Sequence, residues 1–363
     1  MLETLIGSLE KSQHLTAEQI HDAVEALVNE SVPPEAKADF LCHLALKGET
    51  VEEIAGFARA LREKGVVPPI DSEGRSREIL DVVGTGGDRL GTFNISTTVA
   101  IVCAAAGVMV AKHGNRAATS QCGSADVLEA LGVPIDLAPE AAARSLRAHG
   151  FAFFFAPKYH PAFKHVALAR KLCAERGQRT IFNFLGPLLN PARPSSALVG
   201  VAEPQLCEPL AKVLQSLGVR RAMVVCGAAG EEFKVQGPKS KVGKPGSFLD
   251  ELSILGENAI AEFYQERGFS ASVLSCTEFP IGPATLADLT GGDRQANARI
   301  VRRLLAGEDR GAKRDAVLLN AAAGLFVAGL SRNLMAGWDL AAAVIDDGRA
   351  GRKLEELIAQ KRE

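Results

Sequence analysis

The sequence predicts an α/β fold, with a mostly parallel central sheet flanked by helices and a smaller all-helical N-terminal domain. Residues 1 to about 70 have helical periodicity and helix-start signals. From residue 78, short apolar runs alternate with helical segments, which is typical of a parallel sheet covered on both faces. A proline pair at 68–69 resembles a linker. We therefore expect a helical domain over 1–72 and an α/β domain over 73–363.

Composition narrows the class of protein. The 363 residues include 41 Lys+Arg and 43 Asp+Glu, and 47% are apolar, which excludes a disordered chain and disfavours a basic nucleic-acid coat. The seven cysteines form no CxxC pair, as expected for reduced thiols in the cytoplasm. The first residues include two glutamates and no long apolar run, and the apolar stretch Val99–Ala111 is too short to span a bilayer. We expect a cytoplasmic protein.

The helical domain is marked by two capping boxes. Thr16 with Gln19, and Thr50 with Glu53, have the spacing in which the two side chains satisfy each other's backbone N–H groups. An apolar stripe follows each helix start. A proline pair at 33–34 interrupts the pattern after the first of these helices, and another helix is expected to follow to Leu46. Gly65 ends the helix that begins at Thr50.

The α/β region is predicted to alternate regularly. Strands are expected at 79–83, 108–111, 151–155, 197–201 and 222–225, and helices at 96–106, 125–131, 139–150, 161–176, 206–217, 295–305, 315–328 and 340–345. Residues 231–247 contain four lysines, three glycines and two prolines. We expect them to form an exposed loop, with a lid over a bound pyrophosphate as the alternative.

Glycine is concentrated around one predicted strand-to-helix turn. Four glycines lie in Gly84-Thr-Gly-Gly-Asp-Arg-Leu-Gly, between a strand and the helix opened by TFNIST. Glycine leaves backbone N–H groups unobstructed, and a helix N-terminus adds free donors and a partial positive charge. The arrangement suits a phosphate or diphosphate, with a purely structural turn as the alternative. It matches neither the dinucleotide fingerprint nor a Walker loop.

A second polar turn follows the next strand and begins with Lys112-His-Gly-Asn-Arg. In a parallel sheet, the ends of neighbouring strands line one crevice, so both turns could meet at one site. One or two cations do not neutralise a pyrophosphate, so a metal ion is expected. Asp250 and Glu251 are the best carboxylate candidates for Mg²⁺, although adjacent acids usually face water.

Together these motifs resemble a known family. GTGGD, TFNIST, KHGNR, GSADVLEALG, HPAFKHV, RTIFNFLGPLLNPA, the Asp-Glu pair, GGDRQANA and RDAVLLNAAA occur in this order. The whole set is similar to the anthranilate phosphoribosyltransferases of tryptophan biosynthesis and extends over nearly the full chain. The resemblance implies transfer of the phosphoribosyl group of phosphoribosyl diphosphate (PRPP) to the amine of anthranilate, giving N-(5-phosphoribosyl)anthranilate and pyrophosphate. It also implies a homodimer, and a helical domain completed by helices from about 161–195.

The resemblance assigns residues to each ligand. It places Ser96, Asp250 and Glu251 on two Mg²⁺ ions, and Gly84, Asn115 and Arg170 on anthranilate. The residues implied for PRPP are Gly84, Gly87, Asp88, Thr92, Asn94, Ile95, Ser96, Thr97, Lys112, His113, Gly114, Asn115, Arg116, Ala117, Ala118, Thr119, Ser120 and Ser124. We expect no acid, base or nucleophile, because the aromatic amine is already neutral at pH 7 and catalysis can rest on positioning and on leaving-group stabilisation.

The chain departs from the family pattern at several positions. Arg89 stands where glycine is frequent, and we expect its side chain to face solvent. Arg170 precedes RTIFN by more residues than is usual, so Arg176 and Arg179 are rivals for the anthranilate carboxylate. Cys226 replaces a common histidine.

Two other functions fit parts of the pattern. A pyrimidine nucleoside phosphorylase would share the architecture but would not need the acidic pair. A non-catalytic nucleic-acid-binding relative should lose those acids and gain a basic surface, whereas this chain keeps them and has a net charge of −2. We expect neither a nucleic-acid nor a membrane partner.

Overall fold

The structure, a computed structural model, describes residues 1–117, 121–230 and 247–360. Its α helices are α1 (Leu2–Glu10), α2 (Ala17–Val28), α3 (Pro34–Lys47), α4 (Val51–Glu63), α5 (Ser72–Ser76), α6 (Ile95–Ala105), α7 (Ser124–Leu131), α8 (Pro139–His149), α9 (Ala156–Tyr159), α10 (Ala167–Glu175), α11 (Phe182–Leu185), α12 (Cys207–Ser216), α13 (Arg294–Leu305), α14 (Ala312–Val327), α15 (Leu334–Asp346) and α16 (Arg349–Ala359).

One sheet organises the α/β part of the chain. Its strands are β1 (Ile79–Gly84), β2 (Met109–Gly114), β3 (Phe151–Phe155), β4 (Ser196–Gly200), β5 (Arg221–Ala228), β6 (Phe248–Leu249), β7 (Asn258–Tyr264) and β8 (Gly268–Leu274). The order is β3-β2-β1-β4-β5-β7-β8, with β6 paired to β5. Strands β1 to β5 are parallel, whereas β6, β7 and β8 are antiparallel to their neighbours. The expected mostly parallel sheet with flanking helices is confirmed.

Alternate side chains of the sheet enter different cores, as the two-residue period of a strand requires. Leu80, Val82 and Leu198 pack with α6 and with the helices near the C-terminus. Val199 and Val224, on the opposite face, pack with α12 and with the N-terminal helices. The sheet is therefore covered on both faces, as in other parallel α/β sheets.

The N-terminal helices pack against the segment around α10. Lys37 of α3 donates to the His165 carbonyl at 2.8 Å, and Arg62 of α4 donates to the Leu188 carbonyl at 2.6 Å. Both predicted capping boxes are formed, at Thr16 and at Thr50. The seven cysteines, all in described ranges, are free thiols. Within the described ranges, no helix has the length and apolar character needed to cross a membrane.

The structure changes some predicted elements. The helix expected over 161–176 is a 3-10 helix, Pro161–His165, followed by α10. Strand β2 continues to Gly114 because its last residues pair with β3 through Gly114 and Phe155, so KHG belongs to a strand. Strands β7 and β8 and helix α16 were not predicted from the sequence. The predicted loop 231–247 lies outside the described residues except for Ser247, which is buried.

Candidate functional site

The candidate site lies where the sheet order reverses. From β1 the chain moves to β2 and β3 on one side and then to β4 on the other, so the carboxyl ends of β1 and β4 flank the switch point where such sheets bind ligands. Gly84 ends β1 and is paired with Gly200 at the end of β4. A Cβ on Gly84 would lie 2.1 Å from Asp250 Oδ2, and one on Gly200 would lie 1.6 Å from the Asp250 carbonyl oxygen. Both positions require glycine because Asp250 rests directly on them.

Buried amides hold the chain immediately after the acidic pair. Asn320 of α14 donates to the Leu252 carbonyl at 2.8 Å and accepts from the Leu252 N–H at 2.9 Å. Asn258 of β7 accepts from the Ser253 N–H at 2.6 Å and donates to its carbonyl at 3.0 Å. The position of Asp250 and Glu251 is therefore fixed by the strand ends beneath them and by these two amides.

Three carboxylates and one ammonium group set the electrostatics of the site. Burial raises the pKa of Glu251 to about 7. Burial, together with the charges of Asp88 and Glu251, raises the pKa of Asp250 well above its usual value. Asp88 has a raised pKa, again chiefly through burial. Lys112 is the nearby buried cation, and burial lowers its pKa while Asp81 and the acidic pair oppose that change. The acids repel one another and favour a cation between them.

Main-chain donors of the glycine-rich loop and of α6 already engage the acids. The Gly86 N–H donates to Asp250 Oδ2 at 2.6 Å, and the Ser96 N–H donates to Glu251 Oε1 at 3.2 Å. Gly86 and Gly87 have φ of +73° and +86°, which favours glycine. Arg89 has φ +61° and an exposed side chain. This left-handed conformation explains why glycine suits that position, and the exposure matches the expectation that Arg89 faces solvent.

Two side-chain oxygens at the start of α6 are buried and unpartnered. They are Asn94 Oδ1 and Thr97 Oγ1. Buried polar atoms almost always have a partner, so these oxygens fit contact with a polar ligand or water at the helix start. Thr92 bridges to Thr290, and the Phe93 N–H donates to the Leu289 carbonyl at 3.0 Å. Leu289 and Thr290, directly before the GGDRQANA segment, therefore brace the TFNIST turn.

The end of β2 combines buried and paired cations. Lys112 donates to the Val82 carbonyl at 2.6 Å and to Ser96 Oγ at 3.3 Å. Arg116 is held by Asp126 and Glu129, each at 3.0 Å. The Asn115 carbonyl accepts from the Ser124 hydroxyl at 3.3 Å. Lys112 thus lies at the metal candidates, whereas the Arg116 guanidinium would have to exchange carboxylates for a phosphate.

Arg170 is joined to the KHGNR turn by a row of aromatic rings. His113 contacts His160 at 5.5 Å between ring centroids, His160 stacks on Phe163 at 5.1 Å, and Phe163 meets Phe182 at 5.7 Å. The Arg170 guanidinium lies 5.4 Å from the Phe182 centroid.

The rivals of Arg170 are occupied. Arg176 lies 2.7 Å from Asp39, and Arg179 is paired with Glu203. Among the described residues, Arg170 has no ion-pair partner.

Most of the predicted residues gather at this edge of the sheet. Ile95 opens α6, Gly114 ends β2, and the Ala117 N–H donates to Asp126 at 2.9 Å. Ala118, Thr119 and Ser120 lie outside the described residues. Four residues of the site were not predicted from the sequence: Asp81, Asn190, Gly200 and Asn320. Asp81, Gly200 and Asn320 could have been found as a polar residue or a glycine inside an otherwise apolar strand or helix, and Asn190 as a polar residue directly after an apolar run.

The donor set fits magnesium. Asp88, Asp250, Glu251 and the Ser96 hydroxyl supply oxygen atoms, the ligands that Mg²⁺ prefers, and their mutual repulsion would be offset by a divalent cation. In the described part of the chain, no three His, Cys, Asp or Glu side chains enclose a metal position by themselves. An ion here would therefore take further ligands from water or substrate phosphates.

A separate cleft of about 200 Å³ lies beside α8 and is lined by Ile70, Asp71, Met109 and Arg144, among others. Met109 is the first residue of β2, so this cleft is at the opposite edge of the sheet from the acidic pair. The convergence of unpartnered and repelling groups identifies the carboxyl edge, rather than this cleft, as the candidate site.

Comparison with known families agrees with this architecture. A model described as the glycosyl transferase family a/b domain matches residues 76–244 and 242–351. The helical bundle domain of the same family matches residues 3–65. These matches together cover most of the chain.

Individual relatives match this chain over nearly the full length of both proteins. Anthranilate phosphoribosyltransferase from Petrotoga mobilis is 42% identical over 99% of this chain and 96% of its own. The crystal structure of anthranilate phosphoribosyltransferase from Thermus thermophilus is 39% identical, with a TM-score of 0.84 over 99% of both chains.

The Saccharomyces cerevisiae enzyme in complex with PRPP and Mg is 25% identical, with a TM-score of 0.83 over 99% of this chain and 97% of its own. A second structure of that enzyme holds 4-fluoroanthranilate. This chain therefore belongs to the glycosyl transferase family and, within it, to the anthranilate phosphoribosyltransferases.

Proposed function

We propose that this chain transfers the phosphoribosyl group of PRPP to the amine of anthranilate, releasing pyrophosphate and forming N-(5-phosphoribosyl)anthranilate. One observation carries the proposal: the Asp250–Glu251 pair rests on the carboxyl ends of β1 and β4 and faces the glycine-rich loop and the start of α6. The relatives named above, including one with PRPP and Mg bound, support the same activity.

PRPP would bind between the two turns. The N–H groups of the glycine-rich loop, the start of α6 and the segment after β2 supply donors for a polyanion without a basic surface. The unpartnered Asn94 Oδ1 and Thr97 Oγ1 support a polar ligand at this position. The full set proposed for PRPP is the one that the family resemblance implies, from Gly84 to Ser124.

Two Mg²⁺ ions would be held by Ser96, Asp250 and Glu251, with Asp88 close by. When bound, Mg²⁺ would neutralise charge that develops on the departing pyrophosphate. Among the chain's own groups, Lys112 is positioned by the Val82 carbonyl to present its ammonium group at Ser96. These groups would stabilise the leaving group more strongly as the bond to it breaks, which is the interaction that accelerates a reaction.

Anthranilate would lie along the row of rings that ends at Arg170. The guanidinium of Arg170 would pair with the carboxylate, and Gly84 and Asn115 would complete the contacts. In the reaction the amine nitrogen bonds to the anomeric carbon, the carbon–oxygen bond to pyrophosphate breaks, and the amine loses one proton to solvent. The chain's task is to align the two substrates, so no general base is required.

Product analysis tests this activity against the phosphorylase alternative. The purified chain is incubated with anthranilate, PRPP and Mg²⁺, and separately with a pyrimidine nucleoside and phosphate. We expect pyrophosphate and N-(5-phosphoribosyl)anthranilate in the first mixture and no free base in the second. Free pyrimidine base without pyrophosphate would overturn the proposal.

We further propose that residues 1–72, completed by helices from about 161–195, form a helical domain, and that 73–363 bind PRPP. The contacts of Lys37 with His165 and of Arg62 with Leu188 support this division. We also propose a cytoplasmic homodimer formed through the helical domain. Leu46 of α3 and Leu168 of α10 are 72% and 53% exposed and support this interface. Light scattering should give twice the mass of one chain.

A further inference from the structure

The ladder between β1 and β2, which are neighbours in the sheet, ends below the candidate site. The pairing of β1 with β2 covers only Ile79–Met109 and Leu80–Val110. By contrast, β1 stays paired with β4 up to Gly84–Gly200, and β2 stays paired with β3 up to Gly114–Phe155. The facing edges of β1 and β2 are therefore open over their last residues, and buried main-chain groups there need other partners.

Buried polar side chains replace the missing ladder. Asp81 Oδ1 accepts from the His113 N–H at 3.2 Å, and Asp81 Oδ2 accepts from the Asn190 side chain at 2.8 Å. The same Asn190 nitrogen donates to the Ala111 carbonyl at 2.6 Å. Lys112 bridges back from β2 to the Val82 carbonyl. Asp81, Lys112 and Asn190 are each at most 1% exposed.

These contacts determine the position of the KHGNR segment at the end of β2. Beyond the ladder, β2 is tied to β1 through Asp81, and Asn190 holds the other oxygen of Asp81. Asn190 is itself fixed, because its Oδ1 accepts from the Ala192 N–H at 2.9 Å. A shift of the Asp81 carboxylate would therefore move the main chain at His113, next to Lys112, which reaches Ser96.

We propose that Asp81 and Asn190 are positioning residues for PRPP, which hold the end of β2 beside β1 in the position that the pyrophosphate of PRPP requires. This inference rests on the proposed function. Neither side chain touches substrate in it. Both act through the main chain at Ala111 and His113.

The chemistry of position 81 explains why a carboxylate is needed. Both of its oxygens accept from N–H donors, and its charge lies near the buried ammonium of Lys112. An asparagine side chain at this position has only one acceptor oxygen. Its NH2 group would therefore face the N–H of either His113 or Asn190, and two donors would oppose each other. A buried donor left without an acceptor is costly, and the end of β2 would move to relieve that conflict.

The test compares Asp81→Asn and Asn190→Ser with Glu78→Gln. Glu78 is the matched control, because it lies directly before β1, accepts from Ser195 and Ser196, and is at the opposite end of the strand from the candidate site. Steady-state kinetics give a KM for each substrate, and calorimetry gives the affinity for PRPP with Mg²⁺ in the absence of anthranilate.

For Asp81→Asn and Asn190→Ser we expect PRPP affinity to fall about tenfold or more, the anthranilate KM to change less than about twofold, and melting to remain cooperative. Glu78→Gln should keep the wild-type PRPP affinity. Unchanged PRPP affinity in a folded Asp81→Asn protein would overturn the inference, as would equal rises in both KM values. If Asp81→Asn does not fold, Asn190→Ser decides by the same criteria, and failure of both to fold would assign the pair to stability alone.

The calorimetric measurement separates this inference from the proposed function. A wild-type chain that binds PRPP tightly but does not consume anthranilate would contradict the function while leaving the positioning role measurable. A wild-type chain that does not bind PRPP would contradict both.

Discussion

At the scale of single residues, this site depends on side chains that are small or unpaired. Gly84 and Gly200 are needed because Asp250 lies where a Cβ would be. Arg170 is suited to a substrate because, among the described residues, it has no acidic partner, whereas Arg176 and Arg179 each have one. Neither property depends on the residue type alone. Each follows from what surrounds the residue.

Gly84→Ala should displace Asp250. Its new Cβ would lie 2.1 Å from Asp250 Oδ2, so we expect a loss of about 1–3 kcal/mol in stability and at least an order of magnitude in kcat/KM. Gly7→Ala on α1 is the control, since nothing lies within 4 Å of its new Cβ. Urea unfolding and steady-state kinetics measure both variants. Wild-type kinetics for Gly84→Ala would show that Asp250 tolerates the shift.

Arg170→Ala should raise the KM for anthranilate by about tenfold to a hundredfold, because a hydrogen-bonded charge pair contributes roughly 1.5–3 kcal/mol. The KM for PRPP should stay constant. Arg176→Ala is the matched control on the same stretch of chain, and it should lose its contacts with Asp39 and Cys42. If Arg176→Ala raises the anthranilate KM and Arg170→Ala does not, the carboxylate partner has been assigned to the wrong arginine.

At the scale of elements, the sequence predicted most strands and helices because their apolar periods are regular. Strand β8 was missed because five of its seven residues are exposed and its pattern is not that of a buried strand. The extension of β2 was missed because Lys112 and His113 are polar, yet both are buried. Whether such a polar segment forms a buried strand depends on tertiary partners such as Asp81 and Asn190. A single sequence does not reveal which distant residues will meet.

Helix α14 reaches the acidic pair through Asn320. Replacing it in Asn320→Leu leaves the Leu252 N–H and carbonyl without their partner, so we expect a loss of about 2–5 kcal/mol in stability. The Mg²⁺ concentration for half-maximal activity should also rise, because Glu251 precedes Leu252.

Asn333→Ala is the control for this prediction. Asn333 caps α15 at an exposed position, so its loss should cost about 1 kcal/mol and leave the Mg²⁺ requirement unchanged. Chemical unfolding and Mg²⁺ titration of activity measure both effects. An unchanged Mg²⁺ requirement in folded Asn320→Leu would mean that α14 does not position Asp250 and Glu251.

At the scale of the whole molecule, the topology brings together residues from distant parts of the chain. The gathering of the loops after β1 and β2 at one edge follows from the parallel sheet and could be predicted from the sequence. The seating of Asp250 on Gly84 and Gly200 could not, because the chain between β5 and β6 gives no pattern that fixes where it returns. The acids were predicted as ligands, and the structure places them against the strand ends.

The pH dependence of stability should reveal the raised pKa values of the buried carboxylates. Burial raises the pKa of Glu251 to about 7 and that of Asp250 well above its usual value. The metal-free folded chain therefore holds protons that the unfolded chain has already released. Its stability should fall as the pH rises from the ordinary carboxyl range, about 4, towards 7.

Binding of Mg²⁺ needs the ionised acids, so added Mg²⁺ should raise Tm more at about pH 8 than at about pH 5.5. Thermal melting with Mg²⁺ or with a chelator measures the difference. Glu251→Gln should reduce it. An equal rise in Tm at both pH values would mean that these carboxylates do not bind the ion.

The most direct measurement of the central claim is the loss of anthranilate fluorescence on mixing with PRPP, Mg²⁺ and this chain, beside the Glu251→Ala variant. We expect a steady loss that requires all three additions and nearly disappears in the variant. No loss at high concentration of wild-type protein would contradict the activity, and an undiminished rate in Glu251→Ala would contradict the role of the acidic pair.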